Sequence, residues 1–207
     1  MPNAVLPDAL SLAPIQPIVL VGGASARFGR DKLLEPLPDG MLLVDRPINA
    51  LRQVFGPCVA LVGNCDERIS SRGDLALADR WPRTGPAGGI ATALSHFGRD
   101  VFVLAGDLPA INAALVRSIL RCAQANPSVA AVLADSGHLE PCIGLYRQAS
   151  LTPLLRSLDG GERLSIVRRL DGVSIVGSPA PAQVTANANT PHELRTSLLD
   201  PLTRGAS

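Results

Sequence analysis

Short apolar runs that stop at glycine alternate along this chain with segments whose apolar residues recur every three or four positions. Pro17-Ile18-Val19-Leu20-Val21 ends at Gly22-Gly23, and Val101-Phe102-Val103-Leu104-Ala105 ends at Gly106-Asp107-Leu108-Pro109. Continuous β-rich runs of this kind read as strands buried on both faces, as in a parallel sheet. Cys58 to Val62, Leu75 to Ala78, Val129 to Leu133 and Cys142 to Tyr146 predict further strands. Between them, Ile48, Leu51, Val54 and Phe55 fall on one helical face with Pro47 in the first turn, and Leu115, Ile119 and Cys122 do the same in a helix from about Ala113 to Asn126. Gly88 to Phe97 predicts a helix despite its glycines. Thr190-Pro191-His192-Glu193 joins an N-cap Thr to a later Glu and a Pro at the first helical position, so a terminal helix is expected there.

Strands alternating with helices predict an α/β fold: one domain, a mostly parallel sheet flanked by helices on both faces. A chain of 207 residues suits a single core. The expected boundaries are a flexible N-terminal extension over 1–16, the domain over 17–199, and a flexible tail over 200–207. Apolar residues make up 46% of the sequence and aromatics only 3%, so the core must be aliphatic. The formal net charge is +1 and no basic stripe runs along the chain, which argues against nucleic acid as a partner. No apolar stretch is long enough to span a bilayer, and the first residues lack the basic start of a signal peptide, so no membrane partner and a cytoplasmic location are expected. Cys58, Cys65, Cys122 and Cys142 lack CxxC spacing and lie in or beside apolar runs, which predicts buried free thiols rather than metal ligands or disulfides. His96, His138 and His192 suit surface or capping positions, and no Ser-His-Asp order suggests hydrolysis.

Ligands of open α/β sheets bind beyond the carboxyl ends of the strands. That rule singles out three segments: Gly22 to Lys32, Asp79 to Gly89 and Gly106 to Pro109. In the first, Gly22 and Gly23 let the backbone approach an anion and aim N–H groups at it, while Arg27 and Lys32 supply positive charge. The spacing matches neither the P-loop nor the dinucleotide fingerprint, since no Lys-Ser/Thr pair follows and the two glycines are adjacent.

The run Gly22-Gly23-x-Ser25-x-Arg27-Phe28-Gly29-x-Asp31-Lys32 resembles the signature of nucleotidyltransferases that act as molybdenum cofactor guanylyltransferases, with Phe28 where that family usually has Met. Asp79, followed by Gly85-Pro86-Ala87-Gly88-Gly89, resembles its second motif, and Asp107-Leu108-Pro109 resembles its third. Glu140-Pro141-Cys142-Ile143-Gly144-Leu145-Tyr146-Arg147, Gly161-Glu162-Arg163 and Asn187-Ala188-Asn189-Thr190-Pro191 resemble the acceptor half, so the likeness spans roughly Val19 to Leu194.

The resemblance implies a Rossmann-like nucleotidyltransferase fold, a nucleotide held by Leu20, Val21, Gly22, Gly23, Lys32, Asp79 and Asp107, and catalysis by Arg27, Lys32 and Asp107. Asp107 would bind the cofactor Mg²⁺, and a single carboxylate plus substrate phosphates is a usual way to hold that ion. Asp79 would contact the nucleoside, and a carboxylate can accept from guanine N1–H and the exocyclic amine. Asn187 and Asn189 would bind the acceptor. Where the family commonly has a strand-end Asn this chain has Gly63, and Asn64 beside it is the candidate for that nucleotide contact. The implied activity is transfer of GMP from GTP to the phosphate of molybdopterin, with transient contact to molybdenum cofactor biosynthesis or acceptor proteins. A cytidylyltransferase for the same cofactor, a sugar-phosphate nucleotidyltransferase and a non-catalytic nucleotide-binding module stay open as alternatives. The Gly161-Glu162-Arg163 and Asn187-x-Asn189 segments favour the guanylyl branch.

Overall fold

The computed structural model describes residues 15–22, 31–159, 170 and 172–188. Within them the strands are β1 (Gln16–Leu20), β2 (Ala60–Val62), β3 (Leu75–Leu77), β4 (Val101–Ala105), β5 (Ala131–Asp135), β6 (Leu139–Tyr146) and β7 (Ile175–Pro179). The helices are α1 (Asp45–Phe55), α2 (Glu67–Ser70), α3 (Pro86–Phe97), α4 (Ala113–Ala125), α5 (Leu151–Asp159) and α6 (Ala182–Thr185). The expected terminal helix at Thr190 lies outside the described residues.

The strands form one sheet in the order β3-β2-β1-β4-β6-β5-β7. From β1 the chain moves outward to β2 and β3, then returns through α3 to lay β4 beside β1, with every one of these pairings parallel. Direction of travel therefore reverses between β1 and β4, which is where such sheets leave a crevice at their carboxyl edge. Only β6 runs against its neighbours, antiparallel to both β4 and β5.

Alternation along each strand splits the core into two layers. Val19, Leu61, Phe102, Leu104, Val132 and Leu145 face α1 and α4, where Ile48, Leu51, Leu115 and Ile119 are buried against them. Ile18, Val62, Val103, Leu133 and Tyr146 face α3 and α5, meeting Ile90, Leu94, Leu154 and Leu158. Helix α3 tolerates its glycines because they are packing devices. A Cβ on Gly88 would lie 2.6 Å from the Trp81 carbonyl oxygen, and one on Gly89 would lie 2.9 Å from a Leu20 methyl. Pro86 at the start of α3 needs no intrahelical partner for its missing N–H, so the helix begins two residues before its sequence pattern suggests.

One expectation about the cysteines needs correction. All four are free, but Cys58 is exposed, and Cys65, Cys122 and Cys142 are only partly buried. Cys58 belongs to the turn before β2 rather than to the strand: its φ is 109° and its backbone N–H donates to Asp74 Oδ2 at 3.0 Å. β2 starts only at Ala60.

Candidate active site

Four strand ends and two later segments meet at the carboxyl edge of the sheet around a cleft of about 720 Å³. β1 contributes Leu20, Val21 and Gly22; β2 contributes Val62 and, just past it, Asn64; the loop after β3 contributes Asp79, Pro82, Arg83 and Gly85. β4 contributes Ala105, Gly106 and Asp107, while Cys142 and Asn187 close the far side.

The glycine turn after β1 sits tightly against β2. Gly63 has φ 135°, and a Cβ there would lie 2.3 Å from the Gly22 nitrogen, so no side chain fits where the two turns cross. Gly63 stands where the resembled motif commonly has asparagine, and Asn64 is the exposed polar side chain on that wall.

Lys32 is placed by its neighbours. Asp31 caps a short 3-10 turn, Lys32–Leu34, by accepting from the Leu33 N–H at 3.1 Å. Leu33 is buried, and its methyls lie where a Cβ on Gly106 would come within 3.1 Å. Anchored there, the turn brings Lys32 Nζ to 2.5 Å from Asp107 Oδ2. Both side chains are largely enclosed, at 19% and 17% exposed. The same ammonium reaches the Ala188 carbonyl at 3.4 Å, and the Ala188 N–H donates to the Asp107 carbonyl at 3.0 Å. Ala188 is itself buried with Leu37 and Leu43, so the segment carrying Asn187 is stitched to both charged residues.

At the other end of the cleft, Asp79 builds its own loop. Its Oδ1 accepts from the Trp81 N–H at 2.8 Å and from the Thr92 hydroxyl at 3.2 Å. Its Oδ2 takes no hydrogen bond from the described residues, which leaves one carboxylate oxygen for a ligand.

Cys142 enters the cleft through an irregularity in β6. Leu133 of β5 faces Gly144, yet the next residue, Ala134, faces Glu140, so Pro141, Cys142 and Ile143 have no partner on β5. A bulge of this kind re-aims the side chains it carries. Burial first, then the negative charge of Asp107 and Glu140, pushes the Cys142 thiol up to about 12, so it is a neutral wall near neutral pH. The Cys65 thiol is also pushed up, by burial and by Asp31 and Asp66.

Leu20, Val21, Gly22, Lys32, Asn64, Asp79, Asp107 and Asn187 thus share one cleft. Gly23, Arg27 and Asn189 lie outside the described residues, as do Gly161-Glu162-Arg163. Arg147, at the end of the β6 motif, sits away from the cleft and fastens the base of the sheet, donating to the carbonyls of Val129 at 2.8 Å and Ala123 at 2.9 Å. His138 pairs with Glu140 at 2.8 Å in the β5–β6 turn, while His192 is not described. Sequence reasoning missed Arg83 and Cys142. Arg83 stands within the motif loop as an unassigned cation, whereas the one signal of the bulge that turns Cys142 inward is Pro141 before it, since a proline within a sheet is confined to edges and bulges.

Among the described residues no three His, Cys, Asp or Glu side chains gather as a metal cage. Asp107 alone fits a hard cation that takes its remaining ligands from bound phosphates and water, and its enclosed carboxylate already holds one positive charge, that of Lys32.

A doubly wound sheet whose switch-point crevice carries a glycine turn, a lysine and a strand-end aspartate defines a nucleotide-binding α/β protein. The chain belongs to the MobA-like NTP transferase family, whose domain model matches residues 17–173. It is therefore a nucleotidyltransferase. It is 34% identical over 149 residues to a probable molybdenum cofactor guanylyltransferase from Thermococcus sibiricus, covering 70% of this chain and 75% of that one. A protein of the same description from Rhodopirellula baltica is 29% identical, covering 94% of this chain and 93% of its own. The fold matches the crystal structure of molybdopterin-guanine dinucleotide biosynthesis protein A from Archaeoglobus fulgidus with a TM-score of 0.72 at 24% identity, covering 88% of this chain and 96% of that one. No helix among the described residues is long and apolar enough to cross a membrane.

Proposed function

We propose that this enzyme transfers GMP from GTP to the terminal phosphate of molybdopterin, forming the guanine dinucleotide form of the molybdenum cofactor and releasing pyrophosphate. The observation that carries the reading is the convergence of Gly22, Lys32, Asp79 and Asp107 in one cleft, of which Asn187 also forms a wall. The relatives named as guanylyltransferases support the choice of GTP and molybdopterin.

In this reading an oxygen of the acceptor phosphate attacks the α-phosphorus, and the bond from that phosphorus to the bridging oxygen breaks as pyrophosphate leaves. The attacking oxygen is already ionised near neutral pH, so no general base is needed. The protein's work is to position the two substrates and to offset charge. Asp107 would hold Mg²⁺, which would supply charge neutralisation across the phosphates. Lys32 presents its ammonium to the triphosphate, and the backbone of Leu20, Val21, Gly22 and Gly23 cradles the nucleotide with Arg27 beside it. Asn64 and Asp79 contact the nucleoside, and Asn187 and Asn189 bind the acceptor. The enzyme works in the cytoplasm, in transient contact with proteins that make or receive the cofactor.

The test is a transfer assay with purified protein, Mg²⁺, molybdopterin and each nucleoside triphosphate. GTP should yield pyrophosphate and a guanine dinucleotide far faster than CTP or ATP. Preference for CTP would replace the guanylyl assignment with a cytidylyl one, and no product with any triphosphate would leave only a binding module.

A further inference from the structure

The loop from Asp79 to Gly85 carries an arginine in a conformation that arginine seldom takes. Arg83 has φ 69°, in the left-handed region where a side chain crowds its own backbone. Gly85, two residues on, has φ 73° at no such cost. Arg83 cannot relax, because the loop is fastened on both sides of it. Asp79 Oδ1 holds the Trp81 N–H, and the Thr92 hydroxyl accepts from the Arg80 N–H at 3.0 Å. On the far side, the Thr84 hydroxyl donates to the Trp81 carbonyl at 2.6 Å. Gly88 of α3 lies so close beneath that its missing Cβ makes room for that same carbonyl.

Several other arginines of the described residues are occupied. Arg80 donates to Ser95 and lies over the Trp81 ring, Arg52 pairs with Asp74, Arg72 with Asp45, and Arg147 with Asp100. Arg83 makes no hydrogen bond or ion pair with any described residue, yet it lines the cleft. Its place along the cleft limits what it can serve. The sheet order puts β1 and β2 between β4, which carries Asp107, and β3, which leads to Asp79 and Arg83. Three strand spacings of about 4.8 Å separate the two strand ends by roughly 14 Å. A nucleotide whose phosphates meet Lys32 and Asp107 therefore extends its base toward Arg83.

We infer that Arg83 is a specificity-determining residue that donates its guanidinium fork to the O6 and N7 acceptors of a bound guanine. Arginine and that edge match in a bidentate pair, whereas adenine presents an amine donor where guanine has O6, and the two adjacent acceptors of cytosine, O2 and N3, lie on a different edge of a smaller ring. The strained backbone fixes where the side chain leaves the loop before the nucleotide arrives. The inference rests on the guanylyl-transfer reading above and adds the residue that reads this edge.

The experiment is calorimetric titration of wild type and Arg83→Gly with GTP, 7-deaza-GTP, ATP and CTP in Mg²⁺ buffer, with melting curves of both proteins. Wild type should bind GTP more tightly than 7-deaza-GTP, which lacks the N7 acceptor. Arg83→Gly should lose about tenfold in GTP affinity and no longer distinguish those two ligands, while ATP and CTP change by less than about twofold. Its melting temperature should stay level or rise, because glycine accepts this φ without strain. Equal loss for every triphosphate would make Arg83 a phosphate contact and overturn the inference, as would an unchanged preference for GTP over 7-deaza-GTP in the variant. Wild type that prefers CTP would instead remove the guanylyl reading, and this inference with it.

Discussion

The two ends of the cleft are built from opposite kinds of chemistry. At the Lys32–Asp107 end, two charges cancel each other at 2.5 Å in a largely enclosed setting. At the Asp79 end, one carboxylate oxygen is held by neutral donors, the Trp81 N–H of its own loop and the Thr92 hydroxyl of α3. A largely buried charge is costly without a partner, so Lys32 and Asp107 stabilise each other. Phosphate is such a partner for the ammonium and a cation is one for the carboxylate. If substrate and metal bind there as proposed, the first end has to rearrange, while the second is already set. In the proposed function, charge handling belongs to one and recognition by hydrogen-bond geometry to the other.

The largest expected effect follows from removing the carboxylate at the charged end. Asp107→Ala should slow Mg²⁺-dependent transfer by about a thousandfold or more, the loss of roughly 4 kcal/mol of barrier lowering. Metal-free GTP should bind this variant no more weakly than wild type, because Lys32 is released from its pair. Single-turnover kinetics and calorimetry measure the two separately, and a folded Asp107→Ala protein with near-normal turnover would dissolve the contrast between the ends.

Lys32→Ala should cost less, about 2 kcal/mol or thirtyfold in kcat/KM, and should weaken binding of every triphosphate alike. Unchanged nucleotide affinity would move the phosphate site away from Lys32. At the other end, Asp79→Asn and Asp79→Ala should part company. Asparagine retains an acceptor for the Trp81 N–H and should melt near wild type, with a blunted preference for GTP. Alanine strands that donor and should also lose about 1 kcal/mol of stability in denaturant titration. If both variants keep full base preference, Asp79 only builds the loop.

Much of this arrangement is legible in the chain itself. β1 and β4 are continuous apolar runs stopped by glycine, and both fall within a residue of their expected limits. Once the sheet is parallel, their ends must lie side by side, which is why Gly22 and Asp107 can be brought together from sequence. The second half resists. β7 reads Ile-Val-Gly-Ser-Pro, whose glycine and proline weaken a strand signal, and it is tolerated because it is an edge strand. α5 carries Pro153 in its first turn, which reads as a break but costs little at that position. Arg83 escapes because what singles it out is a dihedral angle and the lack of a partner among the described residues, neither of which a sequence states.

The smallest effect concerns the thiols, and it probes whether the charged end is as enclosed as its geometry indicates. Cys142 is held neutral by burial and by the negative charge of Asp107 and Glu140, its pKa pushed up from 9.0 to about 12. A thiol whose folded pKa is raised contributes stability that is fully present below pH 9.0 and is lost as the pH climbs toward 12. The melting temperature of wild type should therefore fall across that window, and Cys142→Ala should fall less steeply. Reactivity supplies the second reading, since only the thiolate attacks. With iodoacetamide at pH 8, the exposed Cys58 should be modified first and Cys142 last, as followed by peptide mass spectrometry. Modification of Cys142 as fast as Cys58 would mean that solvent reaches the Asp107 end freely, and the enclosed ion pair would lose its basis as the distinguishing feature of that end.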